Sequence, residues 1–438
     1  MRQLAWFSPM PPDRTGIAGR SAELVAALRR RFEVTVFDAR TAHDFLWRNH
    51  RAPFDLVVYQ LGNSSLHEFI WPYLFRFPGL AVLHDAHLHH ARAWTLLRHG
   101  RYEDYRQEFT ANHPDASPDL AEIAIHGFDS HLYYMWPMTR LVVLGSRVTA
   151  VHAPPVAHEL ARDVPGAVVE AIRLGEGVPL ESEARRRARR ALRAHHHISE
   201  NAVVFGVFGG LTPEKRIGQV LAAFATVIPY HPDARLLLVG APVPHYDVHA
   251  EIAAHGLAAH VLVTGFVDDE RFTEYLSAAD VSVNLRWPTA REMSGPWLRA
   301  LAARVPTITT DLSHLVEIPS MDPRTWLVAH TSEGSTPEPV SVAIDILDED
   351  HSLRLAMRRL ASDTSLRDRL AHAGFLYWER EHRFERMVDD YERIIARAIE
   401  TPAPQAAQLP AHLRQSGETR LHDILNAFGL ERNLWSTI

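Results

Sequence analysis

No cysteine occurs in the chain. That excludes disulfides, thiolate nucleophiles and cysteine-held metals, and it fits a reducing compartment, the cytoplasm. Long apolar runs are missing as well. The N-terminus, MRQLAWFSPMPPDRTG, reaches proline, aspartate and arginine after a few apolar residues, so it reads as neither a signal sequence nor a membrane span. Positive charge is in short supply, with 46 Lys and Arg against 53 Asp and Glu and a formal charge of −7. A nucleic-acid partner, which needs a concentrated basic face, is therefore not expected. Glycine forms no G-x-G-x-x-G fingerprint, since Gly16 and Gly19 of the first loop, FSPMPPDRTGIAGRSAEL, have the wrong spacing for a dinucleotide site. No Asp-x-Asp is expected after a strand, so no metal is expected and activity should survive chelation.

What the chain does have is length and apolar content: 438 residues, 46% hydrophobic and 23% charged, suit two buried cores of about 150 to 200 residues each with extra segments. Strand-length apolar runs at 3–7, 33–37, 55–60 and 80–84, with helical spacing over 18–30, predict a parallel sheet covered by helices. A polar, His- and Tyr-rich helical insertion is expected over 86–138, with strand character returning at 141–144. A second alternating set begins at 203–208 and continues at 235–239, 261–264, 281–285, 306–309 and 326–329. The expected organisation is an N-terminal domain over 1–178, a second domain over 179–375, a helix over 376–400 that packs back on the first domain, and a linker and helical tail over 401–438. The segment AIRLGEGVP at 171–179 reads as a hinge. The basic run Arg185–Arg193 reads as a solvated helix face, with adhesion to anionic lipid as the alternative.

Four segments carry chemistry. In VFGVFGGLTPEKRIGQV a strand ends in Gly209 and Gly210, Thr212 offers a capping hydroxyl, Pro213 suits the first helical position, and Lys215 and Arg216 follow. Two cations in a first turn oppose the helix dipole, and an anion such as a diphosphate would compensate them; the alternative is a solvated pair on an ordinary turn. In VSVNLRWPTAREMSGPWLRALAARVPTITTD a polar loop with Glu292 leads to Ser294 and Gly295 at a helix start, at the carboxyl end of a strand where open α/β sheets bind ligands. Glu292 can accept from sugar hydroxyls, while Ser294 and the Gly295 amide can meet phosphate; alternatively Glu292 pairs with Arg286 or Arg291. Gly16 and Gly19 permit close backbone approach, or make a plain turn. His84 ends the fourth strand and is placed to hydrogen-bond or relay protons; zinc binding with His87, His89 and His90 is disfavoured because these positions fall on different helix faces. The triplet His195–His197 reads as surface.

Taken in order, PPDRTGIAGRSAEL, VLHD, FGGLTPEKRI, TGFVDDERF, EMSGPWLRALAARVPTITTD and YWEREHRFERMVDDYERI resemble the retaining glycosyltransferases of family 4 over about residues 1–395. The resemblance implies the GT-B architecture, two Rossmann-like domains facing across a cleft, and metal-independent transfer of a sugar from a nucleotide-diphosphate sugar. It makes Lys215 and Arg216 the cations on the donor diphosphate, with Gly16 beneath it. Phe266 and Val267 become backbone contacts to the nucleobase, Glu292 the first acid of the family's Glu, seven residues, Glu motif, and His84 a neighbour of the transferred sugar. The second acid, which holds the ribose, falls at Ala300, and the family's Arg five residues before the Lys is Gly210 here. No cofactor is implied beyond the donor, and the acceptor is a saccharide, a lipid-linked sugar or a protein. Peripheral membrane contact stays open. The alternative function is an impaired, sugar-nucleotide-binding or assembly protein derived from such an enzyme, which Ala300 favours.

Overall fold

Runs of Val, Leu and Phe without polar alternation are what a sheet covered on both faces requires. The first six strands are β1 (Arg2–Phe7), β2 (Phe32–Phe37), β3 (Leu56–Leu61), β4 (Leu80–Leu83), β5 (Val148–Val151) and β6 (Val169–Ala171). They pair in parallel in the order β2-β1-β3-β4-β5-β6. Every residue of β3, β4 and β5 is buried. The computed structural model describes residues 1–13, 15–127, 131–329, 337–405, 408–414 and 425.

The second sheet contains β7 (Val204–Phe208), β8 (Arg235–Val239), β9 (Val261–Val263), β10 (Val281–Asn284), β11 (Thr307–Thr310), β12 (Ser320–Met321), β13 (Val328–Ala329) and β14 (Ser341–Ile344). Their order is β13-β12-β14-β11-β10-β7-β8-β9, and all pairs are parallel except β12 with β13. The chain thus divides into two compact units, Met1–Ile172 with Ala290–Glu292 and Val388–Ile438, and Arg173–Thr289 with Met293–Met387.

Several expectations need correction. Leu141–Leu144 lies in a helix, Arg140–Gly145, not a strand. Leu141, Val142 and Val143 are all buried, and a short apolar run fits a buried helix as well as a strand. At 326–329 only Val328 and Ala329 are extended, because Trp326 turns at a φ of 58°. The basic helix Ser182–His195 is not simply a solvated face. Arg193 is wholly buried and donates to the carbonyls of Ala278 and Ala202 and to Asp280, while Arg189 also binds Asp280. Asp280 in turn accepts from Val204 N, so the arginines lock this helix to the second sheet.

Between β4 and β5 the first unit inserts the helices His89–Arg98, Tyr102–Asn112, Asp119–Ile125 and Leu132–Met135. They have their own core, which includes Leu96, Tyr105, Phe109 and Met138. In the same unit the C-terminal part of the helix Phe384–Glu400 brings the Tyr391 ring to 5.8 Å from that of Trp6. Of the linker and helical tail expected over 401–438, residues 401–405, 408–414 and 425 are described. Among the described residues no helix is long and apolar enough to cross a membrane.

Candidate functional site

The carboxyl ends of β7, β8 and β9 meet backbone to backbone. Gly209 has a φ of 85°, which glycine adopts at no steric cost, and a Cβ on Gly240 would lie 2.2 Å from Gly209 O. Around Gly209 the chain folds Lys215 inward until it is only 8% exposed, with its ammonium donating to Phe208 O. A Cβ on Gly209 would meet Lys215 Nζ at 2.9 Å and Pro296 at 3.1 Å, so the lysine, the glycine turn and the start of the helix Gly295–Ala302 are neighbours. The amides of Gly209 and Leu211 are spent on Val239 O and Ala241 O. Pro296 has no N–H, and that of Trp297 is capped by Ser294 Oγ at 3.3 Å. Among the described residues the amides of Gly210 and Gly295 have no partner. One ammonium and two unspent amides around a glycine turn make an anion cradle.

Two readings of this turn change. Pro213–Lys215 is a short 3-10 turn, and Arg216, at a φ of 58°, separates it from the helix Ile217–Ala225; Lys215 is thus not in an α-helical first turn. Thr212 makes no capping bond, and its hydroxyl is buried without a partner. Arg216 does not join the cradle either: its guanidinium grips Glu349, with Nε 2.9 and 3.1 Å from the two carboxylate oxygens. Glu349 follows β14, a strand the sequence reading missed, and lies within Asp348-Glu349-Asp350, an Asp-x-Asp triplet after all. Its central acid is committed to Arg216. Among the described residues no group of three or more His, Asp or Glu is arranged to hold a metal.

Phe266 follows Gly265, whose φ is 71°, and is 63% exposed, whereas Val267 packs against the core under the sheet. Ala300, where the resemblance places the second acid, faces the core. It is wholly buried in a cluster with Phe208, Leu276 and Val305, because it sits three residues after buried Trp297 on the inner face of its helix. Its neighbour Arg299 is the partly exposed residue, held by Asp269 at 2.7 Å. Two features escaped the sequence reading. Glu176, taken as hinge, puts its carboxylate beside Gly295, 3.9 Å from where a Cβ would stand. Lys215 is also the single lysine of the chain, a signal open to simple counting.

In the first unit His84 is tied at both ring nitrogens, Nε2 to the Gln60 side chain at 2.8 Å and Nδ1 to His152 Nε2 at 3.1 Å. His152 Nδ1 faces Ile172 O, so it carries the proton and its Nε2 accepts from His84 Nδ1–H. A neutral His84 then needs a donor at Nε2, which the Gln60 amide supplies when its N–H is turned toward the ring. Burial, reinforced by His152 and His67 nearby, pushes His84 well below the usual imidazole range, so it is neutral. With both nitrogens occupied, it is a fixed group and not a ready proton relay. His89 is bound separately to Trp136 O and Tyr105 Oη, and His90 to Asn63. Glu292 is half-buried in this unit, and adjacent Arg291 pairs with Glu159. Gly16 begins the helix Gly16–Leu28, capped by Thr15 Oγ1; a Cβ there would touch nothing in the protein.

Residues 202–338, which contain the whole cradle, match the family model described as Glycosyl transferases group 1. No curated protein matches the chain. Among solved structures, sucrose-phosphate synthase of Thermosynechococcus elongatus is similar at 16% identity, covering 92% of this chain and 100% of its own, with a TM-score of 0.64. The catalytic domain of starch synthase IV of Arabidopsis thaliana, bound to ADP and acarbose, is similar at 11% identity over 91% of this chain and 99% of its own, TM-score 0.62. HepE of Anabaena, in complex with UDP-glucose, is similar at 13% identity over 90% and 100%, TM-score 0.59. With its two Rossmann-like sheets the chain has the GT-B fold of these glycosyltransferases, and its segment 202–338 is similar to the group 1 family.

Proposed function

We propose that the chain is a retaining, metal-independent hexosyltransferase of the cytoplasm whose donor diphosphate lies on Lys215 and the amides of Gly210 and Gly295. The observation that carries this is the single lysine of the chain, folded inward at the Gly209 turn. As the C1–O bond of the donor breaks, negative charge grows on the leaving diphosphate. A buried ammonium and fixed amides stabilise that charge without reorganising, which is the service a metal gives elsewhere. Phe266 offers an exposed ring, and Val267 its backbone, to the nucleobase. Ser294 fixes the start of the helix whose first amide meets the phosphate. Glu292 takes the sugar hydroxyls, Gly16 leaves space for an approaching ligand, and His84 acts as a neutral positioning group beside the sugar. Arg216 has no part in it, because Glu349 holds it. The binding-only alternative rests on Ala300, which is wholly buried on the inner face of its helix.

Relatives of similar fold have been seen with UDP or ADP, so both serve as probes. A single lysine gives a clean test: reductive methylation with formaldehyde, read by mass spectrometry, modifies Lys215 and the N-terminal amine alone. UDP or ADP should slow methylation at Lys215 about tenfold and leave the N-terminus unaffected. Equal rates at Lys215 under nucleotide concentrations that saturate a separately measured binding isotherm would overturn the assignment. Transfer that survives EDTA supports metal independence, and loss restored by a divalent ion removes it.

A further inference from the structure

The second unit has a cavity of about 350 Å³ away from the Gly209 turn, at the low end of small-molecule sites. Its floor is Val227 and Leu355, and its two arginines come from the helix Glu349–Ser362. Arg358 lies over the Tyr230 ring at 4.5 Å, and Arg359 lies over the Trp326 ring at 5.5 Å. Rings beneath guanidinium planes hold them in place and leave their edge donors for a ligand. The charge there is not balanced. Arg359 shares Asp363, whose other oxygen caps the next helix, whereas Arg358 has no carboxylate partner among the described residues. His231 and Ser362 bond to each other at 3.1 Å on the rim, a pair able to exchange that bond for hydroxyls.

The cavity is also built at a cost. A bulky Trp at a φ of 58° is strained, and strain of this kind persists only where the surroundings enforce it. Here Trp326 N donates to Asp322 O at 2.7 Å, Asp322 N to Leu327 O at 3.0 Å, and Arg324 clamps Asp322 and Asp345. The turn that aims the indole at Arg359 is therefore fixed before any ligand arrives.

We propose that this cavity, walled by Trp326 and Tyr230 and rimmed by Arg358, Arg359, His231 and Ser362, is a second ligand site that takes a phosphate monoester of a sugar. The phosphate meets the two guanidiniums, the C–H face of the ring lies on Val227 and Leu355, and hydroxyls exchange with the His231–Ser362 pair. The site is independent of the cradle at Lys215. Isothermal titration of the full chain with glucose 6-phosphate, in the presence of saturating UDP, tests it. Binding should persist under UDP, with glucose and inorganic phosphate each at least tenfold weaker. R358Q, a change at an exposed position, should weaken it about tenfold or more, as expected for loss of a charge-assisted bond. L355F, which fills the floor, should weaken it too. Absence of binding, competition by UDP, unaltered affinity in R358Q, or equal binding of glucose or of inorganic phosphate would each overturn the proposal.

Discussion

At the scale of single residues, arginine does nearly all the cationic work of this chain: of its 46 Lys and Arg, one is a lysine. A compact ammonium fits beside Gly209, where even an added Cβ would come within 2.9 Å of Lys215 Nζ, and a bulkier planar guanidinium does not. Lys215→Arg, which keeps the charge, should therefore weaken UDP or ADP binding at least tenfold by titration calorimetry while the melting temperature stays near that of the parent. Parent-like affinity would show that charge alone suffices. Ala300 argues the other way. Ala300→Glu would force a carboxylate into the cluster of Phe208, Leu276 and Val305, so it should cost about 3 kcal/mol or more in denaturant unfolding without tightening nucleotide. A stable variant that binds UDP more tightly would restore the ribose reading. The glycine turn and the lysine were legible because a strand ending in Gly-Gly before Thr-Pro is a local signal. The fate of Arg216 was not, since its partner Glu349 lies 133 residues away in the chain. Ala300 could have been read correctly by following the helical spacing from Trp297 rather than the motif.

Secondary-structure elements were legible where the burial pattern has one meaning. Runs such as 235–239 and 281–285 became β8 and β10, where Leu236–Val239 and Val281–Val283 are buried in succession, as a strand covered on both faces requires. The helix at Arg140–Gly145 failed that rule, and the short strands β12 and β14 are too brief to show a period. Least legible was what joins the inserted helices to the tail. Arg92 and Glu108 form a buried ion pair, and His412 reaches Glu108 at 2.7 Å and Asp104 at 3.4 Å. Burial alone would raise the Glu108 carboxyl, but Arg92 beside it, with the bonds from Arg92 and His412, holds it below its usual range. Arg92→Met leaves that buried charge with His412 alone beside it and should cost about 3 kcal/mol in urea unfolding. The double variant Arg92→Met, Glu108→Leu should recover most of the loss, because an apolar pair of similar size needs no desolvation. A double variant as unstable as the single one would mean that the packing of the arginine stem, and not the stranded charge, sets the cost.

Across the whole molecule the two units should respond differently to acid. In the first, burial lowers His67 and His152 to about 4 and His89 to about 3, each bonded to a backbone carbonyl through its neutral ring. A group whose folded pKa lies below its unfolded value near 6.5 takes up fewer protons in the native state, so its contribution is complete above pH 6.5 and is lost as pH falls toward 4 or 3. Between pH 6.5 and 5 each such histidine gives up on the order of 2 kcal/mol. Carboxylates held below their usual range do not enter this window, because their loss begins nearer pH 4. In the second unit burial also lowers His196, which is half-buried and bonded to Tyr275 Oη, and His314 and His382 are buried as well, His382 with Nδ1 on Leu174 O. Acidification to pH 5 should thus loosen β3, β4 and the inserted helices, on or beside which His67, His89 and His152 lie, more than β7, β8 and β10, which contain no histidine. Hydrogen exchange read by mass spectrometry, with rates corrected for the intrinsic pH dependence, can follow both units in one sample. Opening free energies for peptides of β3, β4 and the inserted helices should fall by several kcal/mol between pH 7 and pH 5, while those of β7, β8 and β10 change by less than about 1 kcal/mol. A parallel fall in the two sets would mean that the units open together or that the buried histidines are not what acid attacks. His89→Phe separates these outcomes: by removing one proton acceptor it should flatten the pH slope of the inserted helices, even if their stability at pH 7 drops with the lost bonds to Trp136 and Tyr105.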